Sequence, residues 1–155
     1  MMPVLAMTKI VSSPEGGAPD DGVDPASGVA AKPPSILLVE DDFMLRGSLA
    51  TVLGAEGYQV ECSANALDAL QRLERPPKPS LILLDIMLPY MDGLEFRALQ
   101  RRMPEVADIP VIVITAVGLR REVAEELDLP QTFFKPLDRP KLLEAIRRAC
   151  SRTVS

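Results

Sequence analysis

Five short apolar runs recur between residues 36 and 135, and segments with the spacing of amphipathic helices separate them. The runs cover residues 36–40, 58–62, 81–85, 111–115 and 132–135. The first, third and fourth runs are apolar throughout rather than alternating, which is typical of parallel strands covered on both faces. Strands that alternate with helices over short links predict a three-layer α/β domain with right-handed crossovers.

The segments between the runs predict five helices. Their apolar stripes are Leu45, Leu49, Val52 and Leu53; Ala66, Ala69, Leu70 and Leu73; Leu94, Ala98 and Leu99; Val123, Ala124 and Leu127; and Leu142, Leu143, Ile146, Ala149 and Cys150. Asp42 or Phe43 lies near the start of the first helix, and Asp138 is placed to cap the fifth. Five strands in about 120 residues fit a flavodoxin-like (βα)5 fold, with a five-stranded parallel sheet in the order 2-1-3-4-5.

Residues 1–34 have a different composition from the rest of the chain. They hold six of the 15 prolines and four of the nine glycines, and no helical or strand period is visible. Such a segment buries too little apolar surface to offset its ordering entropy. We therefore expect a disordered N-terminal tail rich in Pro, Gly and Asp over residues 1–34, with a docking tail as the alternative, and a folded domain over residues 35–151.

The composition excludes several classes of function. The chain has no histidine, which removes Ser-His-Asp and Cys-His catalysis, histidine-ligated metal sites and any histidine phosphorelay within this chain. Its net charge of −5, with no block of like charges, argues against direct nucleic-acid binding. Cys62 and Cys150 form no CxxC pair, which predicts reduced, partly buried thiols. Without a signal-peptide pattern or an apolar run of membrane-spanning length, we expect a soluble, cytoplasmic protein.

Polar side chains end four of the five predicted strands. In strand order they are Glu40 and Asp41, then Asp85, then Thr115, then Lys135. In open parallel α/β sheets, ligands bind beyond the carboxyl ends of the strands, at the point where the strand order reverses. We therefore expect these side chains to form one site.

The side chains at this edge have a specific chemistry. Glu40, Asp41 and Asp85 repel one another unless a cation neutralises them, and Mg²⁺ prefers such oxygen ligands. Lys135 adds a compact cation suited to a phosphoryl oxygen, and Thr115 adds a hydroxyl donor. Together these groups predict phosphoryl transfer to a carboxylate. No Gly-rich phosphate loop follows the first strand, so dinucleotide and P-loop hypotheses are weak.

Four segments resemble the receiver domain of bacterial two-component response regulators. They are ILLVEDD (36–42), LILLDIMLPYMDG (81–93), VIVITA (111–116) and FFKP (133–136). The resemblance covers about residues 35–150 and is strongest to single-domain, chemotaxis-regulator-like members. It implies a phosphoprotein in phosphorelay signal transduction. Because the fifth helix is expected to end near Ser151, with four residues after it, we expect no effector domain after the receiver domain. The resemblance also implies that the chain is a phospho-acceptor rather than an enzyme.

The resemblance assigns a role to each matching residue. Asp85 would accept the phosphoryl group from a histidine kinase or a histidine phosphotransfer protein. The implied Mg²⁺ ligands, with Mn²⁺ as an alternative ion, are Glu40, Asp41, Asp85 and the Met87 backbone carbonyl. The implied phosphoryl-binding and switch residues are Thr115, Ala116 and Lys135. Pro89 and Gly93 match the loop after the acceptor, and Pro136 matches a proline that often follows a cis bond.

The chain also departs from the family pattern. The switch aromatic usually lies three residues before the lysine, where this chain has Thr132. Either Phe134, which shares a face with Thr132, replaces it, or the usual coupling is weakened. Met87 and Val117 flank the site with apolar side chains that cannot position an attacking water, so we expect slow to moderate loss of the phosphoryl group.

Two other functions remain open from the sequence. A phosphorylation-independent adaptor with the same fold is mildly favoured by Thr132. A Mg²⁺-dependent phosphohydrolase with an aspartyl-phosphate intermediate usually needs a second acid two residues after the nucleophile, where this chain has Met87. For a stand-alone receiver, the expected output partner is a protein that binds the face of the fourth helix, fifth strand and fifth helix. Phosphorylation-dependent homodimerisation is a further possibility, and no membrane contact is expected.

Overall fold

A computed structural model describes residues 32–154 of the 155-residue chain. Five strands and five helices alternate along it. The strands are β1 (Ser35–Val39), β2 (Gln59–Ser63), β3 (Leu81–Asp85), β4 (Val111–Thr115) and β5 (Thr132–Phe134). The helices are α1 (Phe43–Ala55), α2 (Ala66–Leu73), α3 (Gly93–Gln100), α4 (Arg121–Glu126) and α5 (Arg139–Val154). The predicted tail over residues 1–34 lies outside the described residues, apart from its last three.

All five strands are parallel and form one sheet in the order β2-β1-β3-β4-β5. This is the predicted flavodoxin-like order, with β1 and β3 side by side at the point where the chain direction across the sheet reverses. The register places Leu38 beside Leu83, and Leu83 beside Ile112. The carboxyl ends of the three central strands therefore meet at one edge of the sheet.

Two apolar layers cover the sheet. Leu37 and Ile82 face α2, α3 and α4, whereas Leu38 and Leu83 face α1 and α5. Because both faces are covered, β3 and β4 are buried at every position and β1 at all but its first. The edge strand β2 buries only Ser63. The continuous apolar runs thus correctly predicted the central strands.

Short polar side chains fix the helix starts. Asp42 accepts a hydrogen bond from Leu45 N at 3.1 Å, and Asp138 accepts one from Lys141 N at 3.2 Å, so both predicted caps are confirmed. Asp92 and Glu95 form a reciprocal capping box at the start of α3. This box orients the helix that directly follows the loop after Asp85.

The predicted stripe of α3 is wrong at two of its three positions, since only Leu94 packs against the core, partly buried. Ala98 and Leu99 are exposed, and the helix instead buries Gly93, Phe96, Arg97 and Gln100. Arg97 and Gln100 are polar, so an apolar periodicity cannot detect them. They are buried because their donors reach backbone carbonyls of other segments.

Other predictions need smaller corrections. The fifth helix continues to Val154, beyond the expected end near Ser151. Cys150 is buried, and burial raises the pKa of its thiol to about 11. Cys62 is exposed on the edge strand rather than partly buried. Within residues 32–154, no helix is long and apolar enough to cross a membrane.

Candidate functional site

Three carboxylates meet at the carboxyl edge of the sheet. Glu40 and Asp41 follow β1, and Asp85 ends β3, the strand beside it. Each offers one oxygen, and the three oxygens lie within 4.8 Å of one another. The structure therefore brings together the acids that the sequence predicted as a group.

Glu40 is fully buried despite its charge. Its Oε2 accepts a hydrogen bond from Asp42 N at 3.0 Å, and its backbone carbonyl accepts one from Arg46 Nη1 at 2.8 Å. Its Oε1 lies 2.9 Å from Lys135 Nζ in an ion pair but makes no hydrogen bond of good geometry. Burial is the main cause that raises the pKa of Glu40, and the charge of Asp85 raises it further against the opposing effects of Asp42 N and Lys135. A buried carboxylate oxygen without a hydrogen bond is a natural acceptor for a cation or an ordered water.

Asp85 is only 2% exposed and is held from two sides. Its Oδ2 lies 2.9 Å from Lys135 Nζ, and its Oδ1 accepts a hydrogen bond from Met87 N at 3.0 Å. Burial lowers the pKa of Lys135, but Glu40 and Asp85 raise it more, so it lies above its ordinary value. The ammonium group therefore stays charged at neutral pH and bridges the two buried acids.

Thr115 ends the next strand and is fully buried. Asp85 pairs with Ile114, so Thr115 lies one residue further along at the same edge. Thr115 Oγ1 accepts a hydrogen bond from Val117 N at 3.2 Å, which leaves its proton available for another acceptor. Ala116 and Val117 follow as exposed residues of this edge.

The loop after Asp85 is closely packed against the end of β3. Gly93 N donates to Ile86 O at 2.8 Å, and a Cβ at Gly93 would overlap the Asp85 carbonyl oxygen and the Ile86 Cα atom. Because two backbone segments approach so closely, position 93 requires glycine. In the same loop, Tyr90 adopts a φ of 70° and is 93% exposed.

Two features of the fifth strand bear on the switch residues. Phe134 pairs with Thr115 across the β4–β5 ladder and is 55% exposed. Thr132 lies on the same face of β5, half-buried, and pairs with Val113. The only aromatic on this face of β5 is thus next to Thr115 rather than at the predicted switch position. The bond between Lys135 and Pro136, which follows the strand, is cis.

Arg46 is a residue of the site that the sequence did not identify. It lies on the first turns of α1, bonds the Glu40 carbonyl, and its guanidinium carbon lies 5.6 Å from the centre of the Phe43 ring. The sequence feature that could have identified Arg46 is its position about one turn into the helix that follows the acidic strand end. Glu40 is therefore fixed both through its side chain and through its backbone.

The acidic group has the chemistry of a Mg²⁺ site. Three carboxylate oxygens converge, one from each acid. Glu40 Oε1 is buried and paired with Lys135 but makes no hydrogen bond of good geometry. Hard divalent cations prefer oxygen ligands and neutralise such a group of like charges. The donor set fits Mg²⁺ and lacks the nitrogen and sulfur ligands of a zinc site.

Comparisons with known proteins agree on one family. The model of the response regulator receiver domain matches residues 36–147. Sporulation initiation phosphotransferase F of Bacillus subtilis is 36% identical over 115 residues, which cover 73% of this chain and 90% of the relative. The transcriptional regulatory protein CpxR homolog of Haemophilus influenzae is 35% identical over 122 residues, 77% of this chain, but the chain spans only 52% of that relative's length.

A solved structure gives the same result for the fold. The putative response regulator from Chloroflexus aurantiacus superimposes with a TM-score of 0.71 at 26% identity, covering 77% of this chain and 99% of that chain.

Proposed function

Because the chain belongs to the response regulator receiver family, we propose that Asp85 accepts a phosphoryl group from a histidine kinase or a histidine phosphotransfer protein. The reaction requires Mg²⁺, and the chain then signals by contact with another protein. The observation that carries this proposal is the setting of Asp85. Its buried carboxylate lies 2.9 Å from the charged Lys135 and is grouped with Glu40 and Asp41. Since this chain has no histidine, the donor imidazole belongs to another protein.

In the proposed step, one carboxylate oxygen of Asp85 bonds to phosphorus while the bond from phosphorus to the donor's imidazole nitrogen breaks. Negative charge on the peripheral phosphoryl oxygens must then be stabilised. Lys135 is charged and lies 2.9 Å from the Asp85 carboxylate, so its ammonium group can pair with a phosphoryl oxygen once the group is transferred. Thr115 can donate its hydroxyl proton to a second phosphoryl oxygen, and the exposed Ala116 is the next residue along the chain.

The metal has a clear set of candidate ligands. Glu40, Asp41 and Asp85, together with the Met87 backbone carbonyl, would hold Mg²⁺. When bound, the ion supplies positive charge that neutralises the acids and the transferring group. Glu40 is buried, and the hydrogen bond from Asp42 N fixes the orientation of its carboxylate. Asp41 is exposed, so an ion can reach its carboxylate from solvent.

The lifetime of the phosphoryl group depends on side chains beside Asp85. Met87 is 57% exposed and Val117 is 36% exposed. Both residues lie beside the site, because Met87 N donates to Asp85 Oδ1 and Val117 N donates to Thr115 Oγ1. Neither has a polar group that could orient a water for attack. We expect a slow to moderate loss, with a faster loss in Met87→Asn; a wild-type half-life of seconds, measured after removing the donor, would contradict this.

We expect the output partner to bind the face formed by α4, β5 and α5. Phe134 is half-exposed there and adjacent to Thr115 in the ladder, which supports it as the replacement for the missing aromatic at Thr132. The partner on this face is a protein, and phosphorylation-dependent pairing of two copies is one form it can take. A cytoplasmic location, a single receiver domain over residues 35–151 and a tail over residues 1–34 are parts of the same proposal.

The test uses intact mass spectrometry after incubation with Mg²⁺ and acetyl phosphate, or with a histidine kinase. Wild type should gain one phosphoryl group, and Asp85→Asn should gain none. Asp42→Asn is the matched control, because Asn keeps the helix cap while removing a neighbouring negative charge, and it should be phosphorylated like wild type. No adduct on wild type with either donor would instead support a phosphorylation-independent adaptor.

A further inference from the structure

Two polar side chains are buried on α3, away from the carboxylates. Arg97 is 3% exposed and Gln100 is fully buried. Arg97 Nη1 donates to Gln100 Oε1 at 2.7 Å, and Gln100 Nε2 donates to Val106 O at 2.8 Å and Ile109 O at 3.1 Å. Gln100 thereby orients the guanidinium while tying α3 to the loop that precedes β4.

The guanidinium of Arg97 caps the end of another helix. Its Nε donates to Leu127 O and its Nη2 donates to Asp128 O, both at 2.9 Å. One turn further along, at the C-cap of α3, Arg101 Nη1 donates to Glu126 O at 2.7 Å. Three successive carbonyls at the C-terminal end of α4 therefore accept hydrogen bonds from these two arginines. The last carbonyls of a helix have no partner within it, and positive charge is favourable there.

The two arginine contacts differ in burial. Arg97 is 3% exposed and its bonds to Leu127 O and Asp128 O are partly buried, whereas the bond from Arg101 is exposed. Charge-assisted hydrogen bonds in a dry environment are stronger than exposed ones, and leaving such carbonyls without donors is costly. Arg97 is therefore the main contact and Arg101 a minor one.

Among the described residues, the other end of α4 has no comparable set of side-chain hydrogen bonds, although Leu119, two residues before the helix, packs partly buried against the core. The helix has six residues, none of them buried, and its N-cap residue Arg120 makes no side-chain capping bond. This end follows Thr115 through residues 116–120, which contain no regular secondary structure. Segments with few buried contacts and exposed hydrogen bonds are those that open most easily.

The N-terminal end of α3 is itself fixed to the acceptor loop. Gly93 N bonds Ile86 O at 2.8 Å, and the capping box of Asp92 and Glu95 holds the first turn. The anchor on α4 is thus attached to a helix that starts eight positions after Asp85.

We propose that Arg97 is a positioning residue that fixes the C-terminal end of α4 to α3, so that α4 moves about this fixed end. The moving end is the one that follows Thr115. These contacts are made by the unphosphorylated chain and do not depend on whether Asp85 accepts a phosphoryl group. The failure of either proposal would therefore not overturn the other.

The first test measures backbone motion in the wild-type protein by ¹⁵N relaxation. Amides of residues 117–121 should have lower order parameters than those of residues 127–129. Equal values at both ends of α4, or the reverse order, would overturn the proposal, and this arm needs no variant that must fold.

The second test measures hydrogen exchange in three variants. In wild type, the amides of Leu127, Asp128 and Leu129 donate to carbonyls within α4, and Ala69 in α2 serves as a reference amide. In Arg97→Met, protection at the α4 amides should fall at least tenfold more than at Ala69. Arg97→Lys keeps the charge without the planar fork and should recover part of this loss.

Arg101→Met is the matched control for the exposed contact, and it should change protection at the end of α4 less than threefold. An equal fall at Ala69 and at the α4 amides in Arg97→Met would show a merely global loss of stability and would overturn the proposal. So would an Arg101→Met effect as large as that of Arg97→Met.

Discussion

The carboxylate site and the α4–β5 region lie on the same domain but are held in place in different ways. At the site, adjacent strand ends deliver the acids, and Lys135 bridges Glu40 and Asp85 at 2.9 Å to each. In the α4–β5 region, α4 buries no residue and β5 has three residues. The carbonyls of Leu127 and Asp128, just after α4, accept hydrogen bonds from Arg97, 30 and 31 residues earlier in the chain.

This difference contrasts a site built on buried strand ends with a surface that has few buried contacts. The central strands are buried on both faces, so the groups at their ends have little freedom. By contrast, α4 buries no residue completely, and it is held by the partly buried Ala124 and by the hydrogen bonds at its C-terminal end. Elements with so few buried contacts have low local stability.

The largest expected effect is at Gly93, where the acceptor loop joins the helix that anchors α4. In Gly93→Ala the added Cβ would meet the Asp85 carbonyl oxygen and the Ile86 Cα atom. We expect a loss of about 3 kcal/mol in the free energy of unfolding, measured by urea titration.

Gly47→Ala is the matched control, because nothing lies within 4 Å of a Cβ built on this helical glycine. It should gain roughly 0.5–1 kcal/mol. Similar stabilities for the two variants would show that the loop yields freely and that the acceptor strand and α3 are not tightly joined.

An intermediate effect is expected from Mg²⁺ at the carboxylate site. Because the ion would bind only the folded arrangement of acids, Mg²⁺ at about ten times its Kd should stabilise the protein by about 1.4 kcal/mol. Thermal unfolding with and without the ion measures this gain. Asp41→Asn should reduce it strongly, whereas Asp42→Asn should retain it, because the Asp42 carboxylate caps α1. Equal loss in both variants would indicate general screening rather than a specific site.

A small effect is expected at Phe134, on the outer face of β5. Because 55% of the residue is exposed, Phe134→Ala should cost less than about 1 kcal/mol and leave the rate of phosphorylation by acetyl phosphate within about twofold. The neighbouring Phe133 packs against the α1–α5 layer, and Phe133→Ala should cost about 2 kcal/mol or more. A tenfold slower phosphorylation of Phe134→Ala would show that the reactive centre and the outer face are not separable.

The strand order and the grouping of the acids were predictable from the sequence for the same reason. Continuous apolar runs are typical of central parallel strands, and the residues that end them meet at one edge. The sequence alone was therefore sufficient to place Glu40, Asp41 and Asp85 together. Asp42 and Asp138 were predictable as caps because capping depends only on neighbours in the sequence.

The anchor of α4 could not be predicted in this way. Arg97 and Gln100 occupy the buried face of α3 through hydrogen bonds to carbonyls far along the chain, and side-chain hydropathy carries no record of those partners. The same limitation contributed to the error in the predicted stripe, since Ala98 and Leu99 are apolar but exposed, whereas Arg97 and Gln100 are polar but buried. Helix faces decided by distant polar contacts require the tertiary structure.

The most direct test asks which side chain carries the phosphoryl group. The protein is incubated with Mg²⁺ and phosphoramidate, the acyl phosphate is reduced with borohydride, and the peptides are mapped by mass spectrometry. Our account predicts conversion to homoserine at Asp85 alone, since Asp85 is the buried acid in contact with both Lys135 and the Met87 amide. Conversion at Asp41 or Asp42, or no conversion at any aspartate while the protein remains folded, would contradict it.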